Sequence, residues 1–336
     1  MIPRPDADVY RVITRALDEF ARTMGRYLSA LTMSLQRTKV GVGILYGWRR
    51  STDARLRVPK RKNQRELHAS AALALMALLA LGGCASNGER IDAIARASSL
   101  ERSVIEVDGF QSVTYSKRDA PTSRTVVVFL EGDGRPWSGG VTPNVDPTTG
   151  NPLALELLIQ TPRQGVYVAR PCYQTMVSER CSPALWTSAR YSEDVVRVMT
   201  ETIRTAVQGL DAESVVLVGH SGGGVLAVLV AERMPSVIGV VTIAANLDTD
   251  AWTAHHAYLP LTESLNPARS AHAHPWREIH IAGRNDAVVP LATTASYFKR
   301  YPSAEHWLFD EHGHVCCWTQ AWPQLWERLD RELEFE

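Results

Sequence analysis

The stretch Val215-Val216-Leu217-Val218-Gly219-His220-Ser221-Gly222-Gly223-Gly224 constrains this chain more than any other. A run of β-branched and aliphatic residues ends in Gly-His-Ser-Gly-Gly, and an apolar segment follows at once from Val225 to Ala231. The pattern is a buried strand, a sharp turn and a helix, with G-x-S-x-G at the turn. A serine there sits on strained backbone, and neighbours without Cβ let strand, helix and serine crowd together. The first N–H groups of the helix point back at the turn and favour negative charge. Ser221 is therefore the candidate nucleophile. Its place between a buried strand and a helix sets this above the competing reading, glycines that serve tight packing only.

A serine needs a base and an orienting acid, in the chain order Ser, Asp/Glu, His. Residues 278–283 read as a strand and 284–290 as the loop after it, which places Asp286 65 residues beyond Ser221 at a strand's carboxyl end. A loop aspartate that only caps its own turn is the plainer alternative. Asp248 and Asp250, after the strand at 237–244, are the fallback acids. The strand at 305–309 leads into Asp310-Glu311-His312-Gly313-His314-Val315. His314 is preferred over His312 as base because Gly313 frees the loop to project it. The pairs His312/His314 and His272/His274 have no third ligand at recognisable spacing, so no metal site and no cofactor motif is read.

An oxyanion hole takes one N–H from the residue after the nucleophile, here Gly222, and another from the loop after an earlier strand. The apolar strand at 125–130 is followed by Glu131-Gly132-Asp133-Gly134, and the Asp133 N–H is the best candidate. The Glu131 and Asp133 side chains are expected to turn away and pin the loop.

With these residues in place, residues 104–326 resemble the α/β-hydrolase superfamily, through GHSGG, AGRNDAVVP and HGHV. More narrowly the chain looks like bacterial secreted or lipoprotein α/β-hydrolases, through FLEGDGRPW, VDPTTGNP, ARPC and ANLDTDAW. The usual His-Gly of the oxyanion strand is Glu131-Gly132 here, which weakens any carry-over of lipase-type substrate binding. The resemblance implies an α/β fold, a mostly parallel sheet with helices on both faces and a small cap, and favours esters over peptides as substrates.

The N-terminal part bears on location. Lys60-Arg61-Lys62-Asn63-Gln64-Arg65 precedes an apolar run of 13 residues, 69–81, too short to cross a membrane but suited to a signal-peptide core. It ends in Leu81-Gly82-Gly83-Cys84-Ala85-Ser86, which resembles a lipobox with Cys84 as the lipidated residue. A buried Ala/Leu helix is the alternative. Residues 58–83 are thus read as a lipoprotein-type signal peptide, and 84–336 as the hydrolase domain. Ala85 in place of aspartate favours an outer-membrane anchor facing the periplasm. Residues 1–57 read as a leader from a misassigned start, with Val58 the initiator, or else as a cytoplasmic arm. Through His68 the chain has 15 Lys+Arg against 6 Asp+Glu, which leaves 21 against 30 for the rest, so the neutral total hides an acidic domain. No nucleic-acid partner is expected of it.

In an oxidising compartment Cys172, Cys181, Cys316 and Cys317 remain after lipidation. Cys172 and Cys181 enclose eight residues, which suits a local disulfide. For Cys316-Cys317, a vicinal disulfide and two free thiols stay open.

Strand signals fall at 104–107, 113–116, 125–130, 166–169, 215–218, 237–244, 279–283 and 305–309. Helical stretches fall at 153–160, 191–207, 225–232, 294–300 and 318–333. Unbroken hydrophobicity in 126–130 and 215–218 marks strands covered on both sides. The insert 247–275 is the cap candidate, and Trp137, Trp186 and Trp252 are pocket-wall or core residues. Two function classes follow: a serine hydrolase on a small ester, thioester or amide substrate, and a membrane-anchored binding protein with an inert triad.

Overall fold

Val, Ile and Leu dominate the central strands, and strand geometry sends alternate side chains to opposite faces. In β3 (Thr125–Leu130) Val126, Val128 and Leu130 pack into one core, while Val127 and Phe129 pack into the other. The same division splits Val215 and Leu217 from Val216 and Val218 in β7 (Ser214–His220). Such strands need helices on both sides, and the chain supplies them.

The computed structural model describes residues 86–333 apart from 122, 175–177 and 211. These belong to one compact unit. The leader 1–57, the segment 58–83 and Cys84 lie outside the described residues.

β1 (Glu101–Val107) and β2 (Phe110–Lys117) form an antiparallel hairpin. A two-strand ribbon, β4 (Trp137–Ser138) and β5 (Thr142–Pro143), follows β3 outside the main sheet. β2 runs antiparallel to β6 (Gly165–Val168), and from there every neighbouring pair is parallel. With β8 (Val237–Ile243), β9 (Arg277–Gly283) and β10 (Glu305–Phe309) the main sheet reads β1-β2-β6-β3-β7-β8-β9-β10. α1 (Asn87–Ala97), α2 (Leu153–Gln160) and α7 (Trp318–Leu333) cover one face. α3 (Glu193–Gln208), α4 (Gly222–Ala231) and α6 (Ala295–Arg300) cover the other.

Several boundaries differ from the sequence expectation. β1 and β2 each begin three residues early, because the ladder runs from Val107↔Phe110 at the turn to Glu101↔Ser116. The helix expected from Tyr191 starts at Glu193, since the Ser192 hydroxyl accepts from Val195 N and caps it. β8 stops at Ile243, where Ala244 turns to φ 53°. α1 was not anticipated, nor was α5 (Thr249–His255) inside the insert. Cys172 and Cys181 are joined by a disulfide, and so are the neighbours Cys316 and Cys317.

Parallel strands bring their carboxyl ends to one edge, so the loops after β3, β7, β9 and β10 meet there.

Candidate active site

Ser221 sits between β7 and α4 at φ 53°, ψ −124°, a conformation rarely held by a residue with a side chain. The glycines around it answer a steric demand. A Cβ on Gly219 would collide with the Gly223 carbonyl, and one on Gly222 with the Asp133 carboxylate and the Tyr191 hydroxyl.

The structure brings Ser221, His314 and Asp286 into contact. His314 Nδ1 lies 2.9 Å from Asp286 Oδ2, and His314 Nε2 lies 3.1 Å from Ser221 Oγ. A carboxylate only accepts, so the proton stands on Nδ1, leaving Nε2 to accept from the serine hydroxyl. Asp286 Oδ1 accepts the N–H groups of Val288 and Val289, both at 2.8 Å. Asp286 thus caps its own turn and contacts His314 at once.

His312 stands elsewhere, its ring between Phe309 and Trp318. Gly313 is not what projects His314: its φ is ordinary, and a Cβ there would meet the Asn285 carbonyl only at 3.8 Å. The His314 carbonyl is held instead, by His220 Nε2–H at 3.0 Å and the Trp318 indole N–H at 3.2 Å. The other His220 ring nitrogen is 3.7 Å from Glu131 Oε1. His220, read as the spacer of G-x-S-x-G, therefore ties the histidine loop to the β3 loop.

That β3 loop passes over the serine: a Cβ on Gly132 would stand 3.2 Å from Ser221 Cβ. Neither the Asp133 nor the Gly222 N–H has a hydrogen-bond partner among the described residues. The Glu131 carboxylate accepts Ala154 N at 3.2 Å, at the start of α2, where Pro152 offers no side-chain cap. Asp133 is anchored more firmly. Arg190 reaches one carboxylate oxygen at 2.8 Å, Arg170 the other, and the Tyr191 hydroxyl donates at 2.7 Å. Burial raises the cost of its charge, but Arg190, Arg170 and Tyr191 hold its pKa down to about 2. Tyr173 adds a bond to the Asp133 carbonyl at 3.0 Å.

Arg170, Arg190, Tyr191 and His220 escaped sequence reasoning. Arg170 carried a signal, since a charge directly after the apolar run 166–169 calls for a buried partner.

The fallback acids do other work. Asp248 Oδ1 caps α5 through Asp250 N and Ala251 N, both at 3.1 Å, while Asp250 pairs with Arg269 at 2.6 Å. Trp252 is tied to the acid loop by a bond to the Val288 carbonyl at 2.7 Å. Trp186 is core beneath the Cys172–Cys181 bridge, and Trp137 lies on the small ribbon. A cavity of about 620 Å³ opens between the far end of α4 and residues 260–272, away from Ser221.

The chain has the α/β-hydrolase fold. Similar solved structures include the Pyrococcus furiosus esterase Pf2001, with TM-score 0.52 and 15% identity over 71% of this chain and 92% of that one. Est1E from Butyrivibrio proteoclasticus has TM-score 0.50 and 10% identity over 69% of this chain and 98% of that one. No protein-family model and no curated protein matches the sequence.

Proposed function

We propose that this chain is a serine hydrolase that cleaves carboxylic esters through an acyl-enzyme. The observation that carries the reading is the unbroken line from Asp286 through His314 to Ser221 Oγ, at 2.9 and 3.1 Å, on a positive-φ serine. His314 Nε2 takes the hydroxyl proton as Ser221 attacks the ester carbon, and Asp286 stabilises the imidazolium that forms. The Asp133 and Gly222 N–H groups receive the oxyanion, a contribution of roughly 3–4 kcal/mol for each donor. His314 then gives its proton to the leaving alcohol, and water, activated by the same histidine, releases the acid. Esterases among the proteins of similar fold support esters over amides by analogy alone.

A fluorophosphonate probe is expected to label the wild-type protein at Ser221 and to spare Ser221→Ala. Folded protein that resists the probe and turns over no p-nitrophenyl ester of any chain length is a binding protein on this scaffold instead.

The location belongs to the same proposal. Signal peptide 58–83 is removed, and Cys84 carries the lipid that anchors the enzyme at the outer membrane's periplasmic face. Cys84→Ser is expected to free the protein from membranes, or to block its processing, with the ester activity intact.

A further inference from the structure

Nine large apolar side chains are exposed among the described residues, and six of them stand on loops beside the candidate site. Single exposed apolar residues are ordinary, but their collection on loops tied to one site is not. Val141 and Val145, 81% and 86% exposed, belong to the ribbon and loop that follow the oxyanion segment. That segment is joined to them through the Arg135 N–H, which donates to the Pro147 carbonyl at 2.7 Å. Val288 and Val315 adjoin the acid and the base, and Val288 N–H is itself a donor to Asp286. Tyr258 and Leu259, the latter 79% exposed, follow α5. Their segment is fastened to the acid loop, because Trp252 and His256 both bond the Val288 carbonyl and Tyr258 packs on both rings.

The chain enters the fold on this same side. Ser86 caps α1, and Asn87 Nδ2 donates to the Thr148 carbonyl at 2.8 Å, in the loop directly after Val145. Cys84 is three residues before Asn87 in the sequence, so a lipid on it is tethered within about 11 Å of the start of α1.

We propose that these loop tips dock on a lipid surface, so that Ser221 faces the membrane and takes an ester carried by a membrane amphiphile. The substrate class rests on the ester-hydrolase reading above; the docking does not. Residues 69–336 carry 21 Lys+Arg against 30 Asp+Glu, so anionic headgroups do not draw the body in, and the contact is apolar.

The test uses the full chain with Cys84→Ser, in which Cys172–Cys181 and Cys316–Cys317 occupy the other cysteines. Val145→Cys and, as control, Ile238→Cys at the opposite end of the sheet are each labelled with a polarity-sensitive fluorophore. On phosphatidylcholine vesicles the label at 145 is expected to brighten at least twofold and shift to the blue, in 0.5 M salt as in low salt, while that at 238 stays unchanged. The leader is common to both proteins, so the difference reads orientation. Equal responses at the two sites, or none at 145, overturn the docking.

A second arm pairs Val141→Asp with Val145→Asp. A water-soluble ester is expected to be hydrolysed within twofold of wild type, and a vesicle-borne ester at least tenfold more slowly. Equal rates on the vesicle-borne ester overturn the substrate assignment. Wild type that hydrolyses neither ester removes the hydrolase reading, and the fluorophore at 145 still decides the docking.

Discussion

Asp286 is held at both oxygens, one on His314 and one on two backbone N–H groups, and it is 4% exposed. Its carboxylate has no room to rotate, so the ring it orients has none either. Asparagine at 286 keeps the shape but offers an amide where an acceptor is needed, which favours the wrong tautomer of His314. Asp286→Asn is expected to lower kcat on a p-nitrophenyl ester about 10⁴-fold with KM little changed. A change under tenfold would point to another acid. This much of the candidate site was legible, because chain order and strand ends fix where Ser221, Asp286 and His314 emerge. The choice of His314 was legible too, but for a different physical cause: its carbonyl is clamped by His220 and Trp318, and Gly313 contributes no special freedom. Sequence does not reveal the His220 clamp, since it joins residues 94 positions apart.

At the scale of elements, the loop after β3 owes its shape to a buried cluster contributed by three distant segments. Two guanidinium groups and a tyrosine hydroxyl converge on Asp133, and Arg170 also donates to the Arg190 carbonyl. Removing one member of a buried ion group leaves charges and acceptors unpaired, at a cost of about 3–5 kcal/mol. Arg170→Ala is therefore expected to lower Tm by roughly 6–20 °C, at 2–4 °C per kcal/mol for a domain of this size. Activity measured well below Tm is expected to fall as well, because the Asp133 N–H loses its bearing. Unchanged Tm and kcat would show that the loop is set by something else. The strands of the core were readable from their double-sided burial. α1 was not, although Ser86 and Glu89 form a capping box, each side chain meeting the other's backbone. The same Ser86 also closes the lipobox-like stretch, and Ile91 and Ile94 are the only large apolar residues of α1, so the helix signal was masked. α5 was hidden for a similar reason, a short helix capped by an aspartate that also fitted the role of catalytic acid.

Across the whole molecule, charge is divided between surface and interior in a way that sets the pH range of stability. On the α6 side of the sheet lies a second buried polar group, distinct from the triad. His274 Nδ1 is 2.5 Å from Glu278 Oε1 and its Nε2 is 3.4 Å from Glu232 Oε1. Glu278 also meets His280 at 3.2 Å, the Tyr297 hydroxyl at 3.0 Å and the Trp276 indole N–H at 3.0 Å. Burial opposes charge on His274, yet Glu232 and Glu278 outweigh it and raise its pKa from 6.5 to about 9. Burial likewise opposes charge on Glu278, but His274 and His280 draw its pKa down from 4.5 to about 2. The two shifts act on opposite flanks. The contribution of His274 is fully present below pH 6.5 and is lost as pH rises through about 9. That of Glu278 is present above pH 4.5 and is lost as pH falls through about 2. Wild-type Tm is therefore expected to decline between pH 7 and 10, while His274→Gln starts lower and declines less over the same range. Ordinary tyrosine and lysine titration acts on both proteins alike, so the narrowing gap between the two curves isolates His274. Parallel curves from pH 7 to 10 would mean that the imidazole does not carry its charge in the folded state, and the cluster would then be held by Tyr297, Trp276 and His280 around Glu278 alone.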